Sequence, residues 1–401
     1  MIILIILILL CSNTFVSADD EEFDENNIDF PEIVMASSNS SQEPNINSRA
    51  AIVYDRNSGE IIYGKKETEK RKMASTTKIM TAMIVIENAN LADTVIASQK
   101  AAGTGGSRVG LKAGDKVSVN DLLYGLMLCS GNDAAVCLAE YVGGSVEGFS
   151  ELMNNKAAEL NLSNTHFITP HGLDNDEHYT TAYELAKLTD YALKNKAFLN
   201  IVGTKAYTIT INGRQKNISN TNELLGNFGG VYGVKTGFTN GANRCLVTAC
   251  KRDSLDIITI VLGADTKKFR TQDSVKLLNY AFGNFEDIDV KKQIFDEFEN
   301  WKQQYEKDIY VDKGIKNNIE STIEIPESTI ITIRKTQKDK INTSINALYN
   351  IQAPVEEKQI IGSLVLKCDN EVKMQINIVN NENIKKKNIL NYMHIFLNKY
   401  V

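Results

Sequence analysis

The sequence predicts an α+β chain: one antiparallel sheet flanked by a helical cluster, then a small all-β domain, then a C-terminal amphipathic helix. Three observations predict it. Strand-like text stands at both ends of residues 48–285, with helical text between; that order puts the end strands in one sheet and the helices on its faces. Beyond about residue 286 apolar and polar residues alternate, broken by Pro and Gly turns, the pattern of half-buried strands. Near the end, Lys387, Asn391, His394 and Asn398 form one narrow polar stripe at helical spacing, and apolar residues cover the remainder.

The elements come in this order. Residues 2–10 are an unbroken apolar run, too short for a spanning helix of about 20 residues. With Val16-Ser17-Ala18 behind it, the run reads as a secretory signal over 1–18, although no Lys or Arg precedes it and an uncleaved anchor is the alternative. Leu10 before Cys11 is too bulky for a lipoprotein site. Residues 19–47 are acidic, then polar, and read as a disordered spacer.

AAIVYD and EIIYGK flank Arg56-Asn57-Ser58-Gly59, a hairpin signal. STTKIMTAMIVIENA reads as a buried helix. Ser118 starts the next one as a cap, and that helix runs to Ser130-Gly131-Asn132. DAAVCLAEYV, GFSELMNNKAAELNL and TAYELAKLTDYALKN are three more. GVYGVKTG, RCLVTAC and DIITIVLG are strands at hairpin spacing, and DSVKLLNYAFGNF closes this first domain. Residues 286–382 form the β domain, and 383–401 a helix of about 17 residues with Lys385, Lys386 and Lys387 at its start.

Composition narrows the function. The net charge is −6, yet residues 19–32 alone hold eight acids and no base, so residues 33–401 together are close to neutral. A basic surface for nucleic acid is not indicated. Once Cys11 leaves with the signal, five cysteines remain, an odd count that cannot all pair. They read as buried free thiols. Cys245 and Cys250, five apart on one strand, point to opposite faces.

Ser75-Thr76-Thr77-Lys78 opens the first helix, and residues three apart share a face. A serine needs a partner to take its proton. A lysine does so only when neutral, a state that a helix N-terminus and a nearby cation both favour. Ser130-Gly131-Asn132 sits at a helix-to-helix break, and Lys235-Thr236-Gly237 ends a strand. S-x-x-K, S-x-N and K-T-G, in that order, are the set of penicillin-recognising serine acyltransferases.

Here the chain resembles the low-molecular-weight penicillin-binding proteins, the serine-type D-alanyl-D-alanine carboxypeptidases of the S11 peptidase family. MASTTKIMTA, LMLCSGNDAA, NTHFITPHGLDNDEHYTTAYELA, GVKTGFTNGANRCLVTAC and VLGADTKKFR all resemble that family's segments, in order. NALYNIQAPVEEKQIIGSL resembles its C-terminal domain, and the last helix its membrane anchor. The resemblance implies a β-lactamase/transpeptidase-like catalytic domain. It implies that Ser75 attacks the carbonyl between the two terminal D-alanines of a peptidoglycan stem peptide, with Lys78 as base and Ser130 relaying a proton to the departing amine. Asn132 would hold the substrate amide and Lys78. Lys235 and Thr236 would serve the substrate carboxylate, as would Arg270, and Gly237 would let the substrate lie on the strand edge. The backbone N–H groups of Ser75 and Phe238 would hold the oxyanion. β-Lactam antibiotics would be covalent inhibitors, and no cofactor or metal is implied. The protein would be exported and held at the outer face of the cytoplasmic membrane by its C-terminal helix.

Two departures stand out: Phe238 occupies a position often held by histidine, and Asn243 and Arg244 replace small residues at the rim. Other readings remain. A class A-like β-lactamase needs a glutamate in an E-x-x-L-N context; the nearest text has Ala157 there. A metal-dependent peptidase would need a ligand pattern that His166, His171 and His178 do not match. An endopeptidase acting on cross-links and a non-catalytic binder of wall peptides also stay open.

Overall fold

The computed structural model describes residues 42–400. The expected signal sequence and nearly all of the expected spacer lie outside them. The packed domain starts a little before residue 48, because Ile46 is already buried. Asp273 accepts from the backbone N–H groups of Asn47 (3.2 Å) and Ser48 (2.7 Å).

The first domain is built on β1 (Ala50–Asp55), β2 (Ile61–Lys65), helices α1 (Lys78–Asn88), α2 (Val119–Leu128), α3 (Asn132–Gly143), α4 (Val146–Glu159), α5 (Ala182–Leu193) and α6 (Lys196–Val202), the hairpin β3 (Ala206–Ile211) and β4 (Arg214–Ser219), strands β5 (Val231–Thr239), β6 (Asn243–Arg252) and β7 (Leu255–Ala264), and α7 (Lys267–Asn284). The five-stranded sheet has the order β2-β1-β7-β6-β5, antiparallel throughout. Strand β5 is thus an edge, and one row of its backbone groups faces away from the sheet.

Alternation along the strands divides two cores. Ala50, Ile52, Cys245, Val247, Ile258 and Ile260 face the helical cluster. Ala51, Val53, Leu246, Cys250, Ile257 and Val261 face α7, which supplies Val275, Leu277, Leu278 and Ala281. Cys245 and Cys250 therefore lie on opposite faces, and all five cysteines among the described residues are free thiols. Helix starts follow local chemistry: Ser118 Oγ accepts from Asp121 N–H (3.0 Å) at α2, and Thr266 Oγ1 accepts from Phe269 N–H (3.1 Å) at α7.

The C-terminal domain departs from the all-β expectation. It opens with a helix, α8 (Lys291–Tyr305), whose Ile294, Phe298 and Trp301 are buried at helical spacing. Behind it stands a four-stranded sheet ordered Ser321–Ile323, Glu371–Asn380, Ile360–Cys368, Ile341–Ala347. The strand Phe285–Asp289 pairs with Ile330–Arg334 and joins the two domains.

The turn between β1 and β2 also touches this junction. Ser58 Oγ lies 2.6 Å from Thr332 Oγ1, and Lys373 pairs with Glu60 (2.8 Å).

The last helix, α9 (Ile389–Tyr400), is shorter than expected. The basic cluster precedes it in extended chain: Lys385 O accepts from Ile315 N–H, and Lys387 N–H donates to Lys313 O. Backbone bonds to the β domain hold these lysines out of the helix. On α9 itself Ile389, Leu390, Met393, Phe396 and Leu397 are all more than half exposed. No helix among the described residues is long and apolar enough to cross a membrane.

Candidate active site

Ser75 sits in a tight 3-10 turn, Ala74–Thr77, that runs directly into α1. Ala74 has φ +47°, a left-handed value that a non-glycine residue adopts only when its surroundings impose it. The surroundings are visible. Thr76 Oγ1 donates to Met73 O (2.7 Å) and Thr77 Oγ1 to Ala74 O (2.8 Å). His178 Nδ1 accepts from Ile168 N–H (2.9 Å), so its Nε2 carries the proton and donates to Thr77 Oγ1 (2.7 Å). Burial pushes His178 down to about 4, the charge of His166 adding, so the ring is neutral at ordinary pH.

The loop carrying His171 presses on the same turn. Gly172 has φ +86°, and a Cβ there would lie 2.0 Å from Ala74 O. Burial lowers His171 to about 3, with Lys78 adding to the fall whenever it is protonated. Asp174, next in that loop, accepts from Thr239 Oγ1 (2.7 Å) and Gly241 N–H (2.7 Å), tying it to the β5–β6 turn.

Lys78 is fully buried, and its Nζ has three close oxygens: Ser75 Oγ (2.7 Å), Asn132 Oδ1 (2.7 Å) and His171 O (2.9 Å). The last two only accept. The serine hydroxyl can also donate. A neutral amine that gives two N–H bonds to the obligate acceptors turns its lone pair toward the Ser75 proton.

Asn132 opens α3, and its Nδ2 donates to Gly105 O (2.8 Å). Asp133 beside it gathers the backbone N–H groups of Val109, Gly110 and Leu111 (2.7–2.9 Å). Between α2 and α3, Ser130 has φ +60°, and its buried hydroxyl has no hydrogen-bond partner among the described residues.

Lys235 is buried on β5 and donates to Thr236 O (2.9 Å). Its charge acts on Cys129, the residue before Ser130, where it opposes the upward push of burial. A Cβ on Gly237 would stand 3.1 Å from Ser75 N and 3.2 Å from Met73 O, so a residue without one relieves the crowding against the Ser75 turn. The Phe238 ring carries the Arg244 guanidinium 4.0 Å from its centre. That fixes a cation at the rim, which a histidine with a small neighbour would not do.

These parts surround a cleft of about 350 Å³ lined by Ser75, Ser130, Thr236, Gly237, Phe238 and Arg270. Lys78, Asn132 and Lys235 stand behind its wall. Sequence reasoning missed five more lining residues: Ser107, Asn220, Thr221, Glu223 and Lys267. The signal for Lys267 was its position three residues before Arg270, on the same helix face. The others lie in loops with no periodicity to read.

Comparison with known proteins agrees with this geometry. The family profile "D-alanyl-D-alanine carboxypeptidase" matches residues 37–266, and that of the "Penicillin-binding protein 5, C-terminal domain" matches 298–386. The D-alanyl-D-alanine carboxypeptidase DacF of Bacillus subtilis is 34% identical over 352 residues, covering 86% of this chain and 88% of its own. DacC of Escherichia coli is 32% identical over 377 residues, 89% of each. The crystal structure of penicillin binding protein 5 from Haemophilus influenzae superposes with a TM-score of 0.71 at 28% identity, covering 86% of this chain and 99% of that one. With its Ser75 turn, buried lysine and edge strand assembled around one cleft, and with these matches, this chain belongs to the D-alanyl-D-alanine carboxypeptidase family, the low-molecular-weight penicillin-binding proteins.

Proposed function

We propose that Ser75 is the residue acylated in a serine-type D-Ala-D-Ala carboxypeptidase that trims the last D-alanine from peptidoglycan stem peptides. One observation carries the assignment: the fully buried Lys78 has its Nζ shared between Ser75 Oγ, Asn132 Oδ1 and His171 O, behind the cleft that Ser75 lines. Lys78 takes the Ser75 proton as Oγ attacks the penultimate carbonyl. The oxyanion forms between the Ser75 and Phe238 N–H groups, in the space that Gly237 keeps open. Ser130, with its hydroxyl unspent, passes its proton to the amine of the departing D-alanine and takes in exchange the one that Lys78 removed from Ser75. Water then hydrolyses the ester by the reverse use of the same groups. Thr236 and Arg270 hold the terminal carboxylate, Lys235 adds positive charge near Ser130 and that carboxylate, and Asn132 holds the substrate amide. A β-lactam enters the same path and stays as the acyl-enzyme.

We further propose that the enzyme works outside the cytoplasmic membrane, with α9 lying on its surface. The exposed apolar side chains of α9 and the three lysines before it support this reading.

The test is release of D-alanine from a peptide ending in D-Ala-D-Ala, run beside penicillin hydrolysis. Release with slow penicillin turnover and an adduct on Ser75 is expected. Rapid penicillin hydrolysis without D-alanine release would identify a β-lactamase instead. D-alanine release retained in Ser75→Ala would overturn the assignment.

A further inference from the structure

One short turn touches both residues read here as binders of the terminal carboxylate. It is Asn220-Thr221-Asn222-Glu223, between β4 and β5. It is pinned from beneath: Thr221 N–H donates to Leu128 O (3.0 Å), and Asn220 Nδ2 donates to Val202 O (3.2 Å) and Thr204 O (3.1 Å). Two side chains reach out of it. Thr221 Oγ1 lies 2.6 Å from Thr236 Oγ1. Glu223 forks: Oε1 pairs with Lys267, and Oε2 lies 3.3 Å from Arg270 Nη2 and 3.5 Å from Thr271 Oγ1.

We propose that Thr221 and Glu223 are positioning residues that set the terminal-carboxylate subsite by aiming Thr236 and Arg270. The inference rests on the reading that those two hold the carboxylate. Two hydroxyls 2.6 Å apart hold one proton between them and leave the other to be directed elsewhere. Thr236 must donate to a carboxylate, which only accepts. It therefore receives the shared proton from Thr221, and its own points into the cleft.

Glu223 acts on the second binder. The Arg270 side chain is almost wholly buried, and a carboxylate on one of its terminal nitrogens fixes the plane of the guanidinium. Lys267 on the other oxygen offsets the Glu223 charge. Lys267, Glu223 and Arg270 together keep one positive charge, so the incoming anion is attracted rather than repelled.

The experiment uses two thioesters of one N-acyl-D-alanine. One has mercaptoacetic acid as leaving group and so presents a carboxylate; the other has ethanethiol and does not. Both pass through the same acyl-enzyme. The readout is the ratio of their kcat/KM values. Thr221→Val and Glu223→Gln are each expected to lower that ratio about tenfold, the effect of one hydrogen bond to a charged group, and Thr221→Ser to restore it. A ratio unchanged in both variants overturns the proposal. So does an equal fall with both thioesters, which would mark a merely structural role. A wild-type enzyme without preference for the carboxylate thioester overturns the underlying reading of Thr236 and Arg270, and this one with it.

Discussion

Asp55, at the end of the first strand, and Asp287, in the strand that leads into the C-terminal domain, meet around a single hydroxyl. Thr332 Oγ1 lies 2.9 Å from Asp287 Oδ1 and 3.4 Å from Asp55 Oδ2. Asp55 also accepts from Ser58 N–H (2.7 Å), and Asp287 from Asn57 Nδ2 (2.8 Å). Burial, with the charge of Asp55 adding, pushes Asp287 up to about 6 against these hydrogen bonds, and burial raises Asp55 as well.

These shifts set the sign of the pH dependence. A carboxyl raised in the fold stabilises it when protonated, so its contribution is full below its ordinary pKa of 3.8 and is lost as pH rises through about 6. His171 and His178, both depressed, act the opposite way: their contribution is present above 6.5 and lost as pH falls toward about 3 for His171 and about 4 for His178. Only the difference between variant and wild type isolates the junction. Asp287→Asn is expected to be more stable than wild type at pH above about 7, with the gap closing as pH falls toward about 4. Urea unfolding across that range checks it; a gap independent of pH would count against a protonated pair.

Lys78→Ala should slow penicillin acylation of Ser75 by about 10²–10⁴-fold, the usual contribution of a positioned base. Intact mass against time measures it, with circular dichroism to establish that the variant folds. An acylation rate within about twofold of wild type would remove Lys78 from that role.

Gly172→Ala should cost both stability and activity, because its Cβ would fall 2.0 Å from Ala74 O, beside the nucleophile. Gly144, with φ +71° and nothing within 4 Å of its added Cβ, is the control. Gly144→Ala should lose only the left-handed penalty of about 1–2 kcal/mol and keep its acylation rate. Equal acylation rates in the two variants would show that the His171 loop does not shape the nucleophile turn.

Truncation after Asn388 removes the exposed apolar helix and leaves every cleft residue in place. Sedimentation with anionic lipid vesicles should retain the full chain and lose the truncated one, while D-alanine release is unchanged. Equal retention would place the membrane contact elsewhere.

Much of this molecule could be read from residues alone, for identifiable reasons. Helices with caps, such as the one begun by Ser118, and strands with near-continuous apolar text, such as Leu255–Ala264, buried along its whole length, carry local signals that tertiary contacts reinforce. The helix Lys291–Tyr305 was missed although Ile294, Phe298 and Trp301 carry its period, because its surface is highly charged and its flanks read as strands. The hairpin Ala206–Ser219 was missed although Asn212-Gly213, both at positive φ, is a strong turn signal; its second strand, RQKNIS, is almost wholly polar and carries little strand pattern. In the site, S-x-x-K, S-x-N and K-T-G were legible because each is compact in sequence. The pairing of Thr221 with Thr236, or of Glu223 with Arg270, is set by how loops meet across a cleft, and no spacing encodes it.

The five free thiols, four buried and Cys129 half-buried, have a redox consequence. Burial pushes Cys137 and Cys250 up to about 12 and Cys245 up to about 11, and raises Cys129 and Cys368. At neutral pH the first three are ionised in only about one molecule in 10⁴ to 10⁵. Thiol–disulfide exchange runs through the thiolate, and so do the first steps of oxidation. Burial therefore gives the protein chemical resistance without cross-links: an oxidising medium would meet unreactive cysteines, and among the described residues the fold depends on no disulfide.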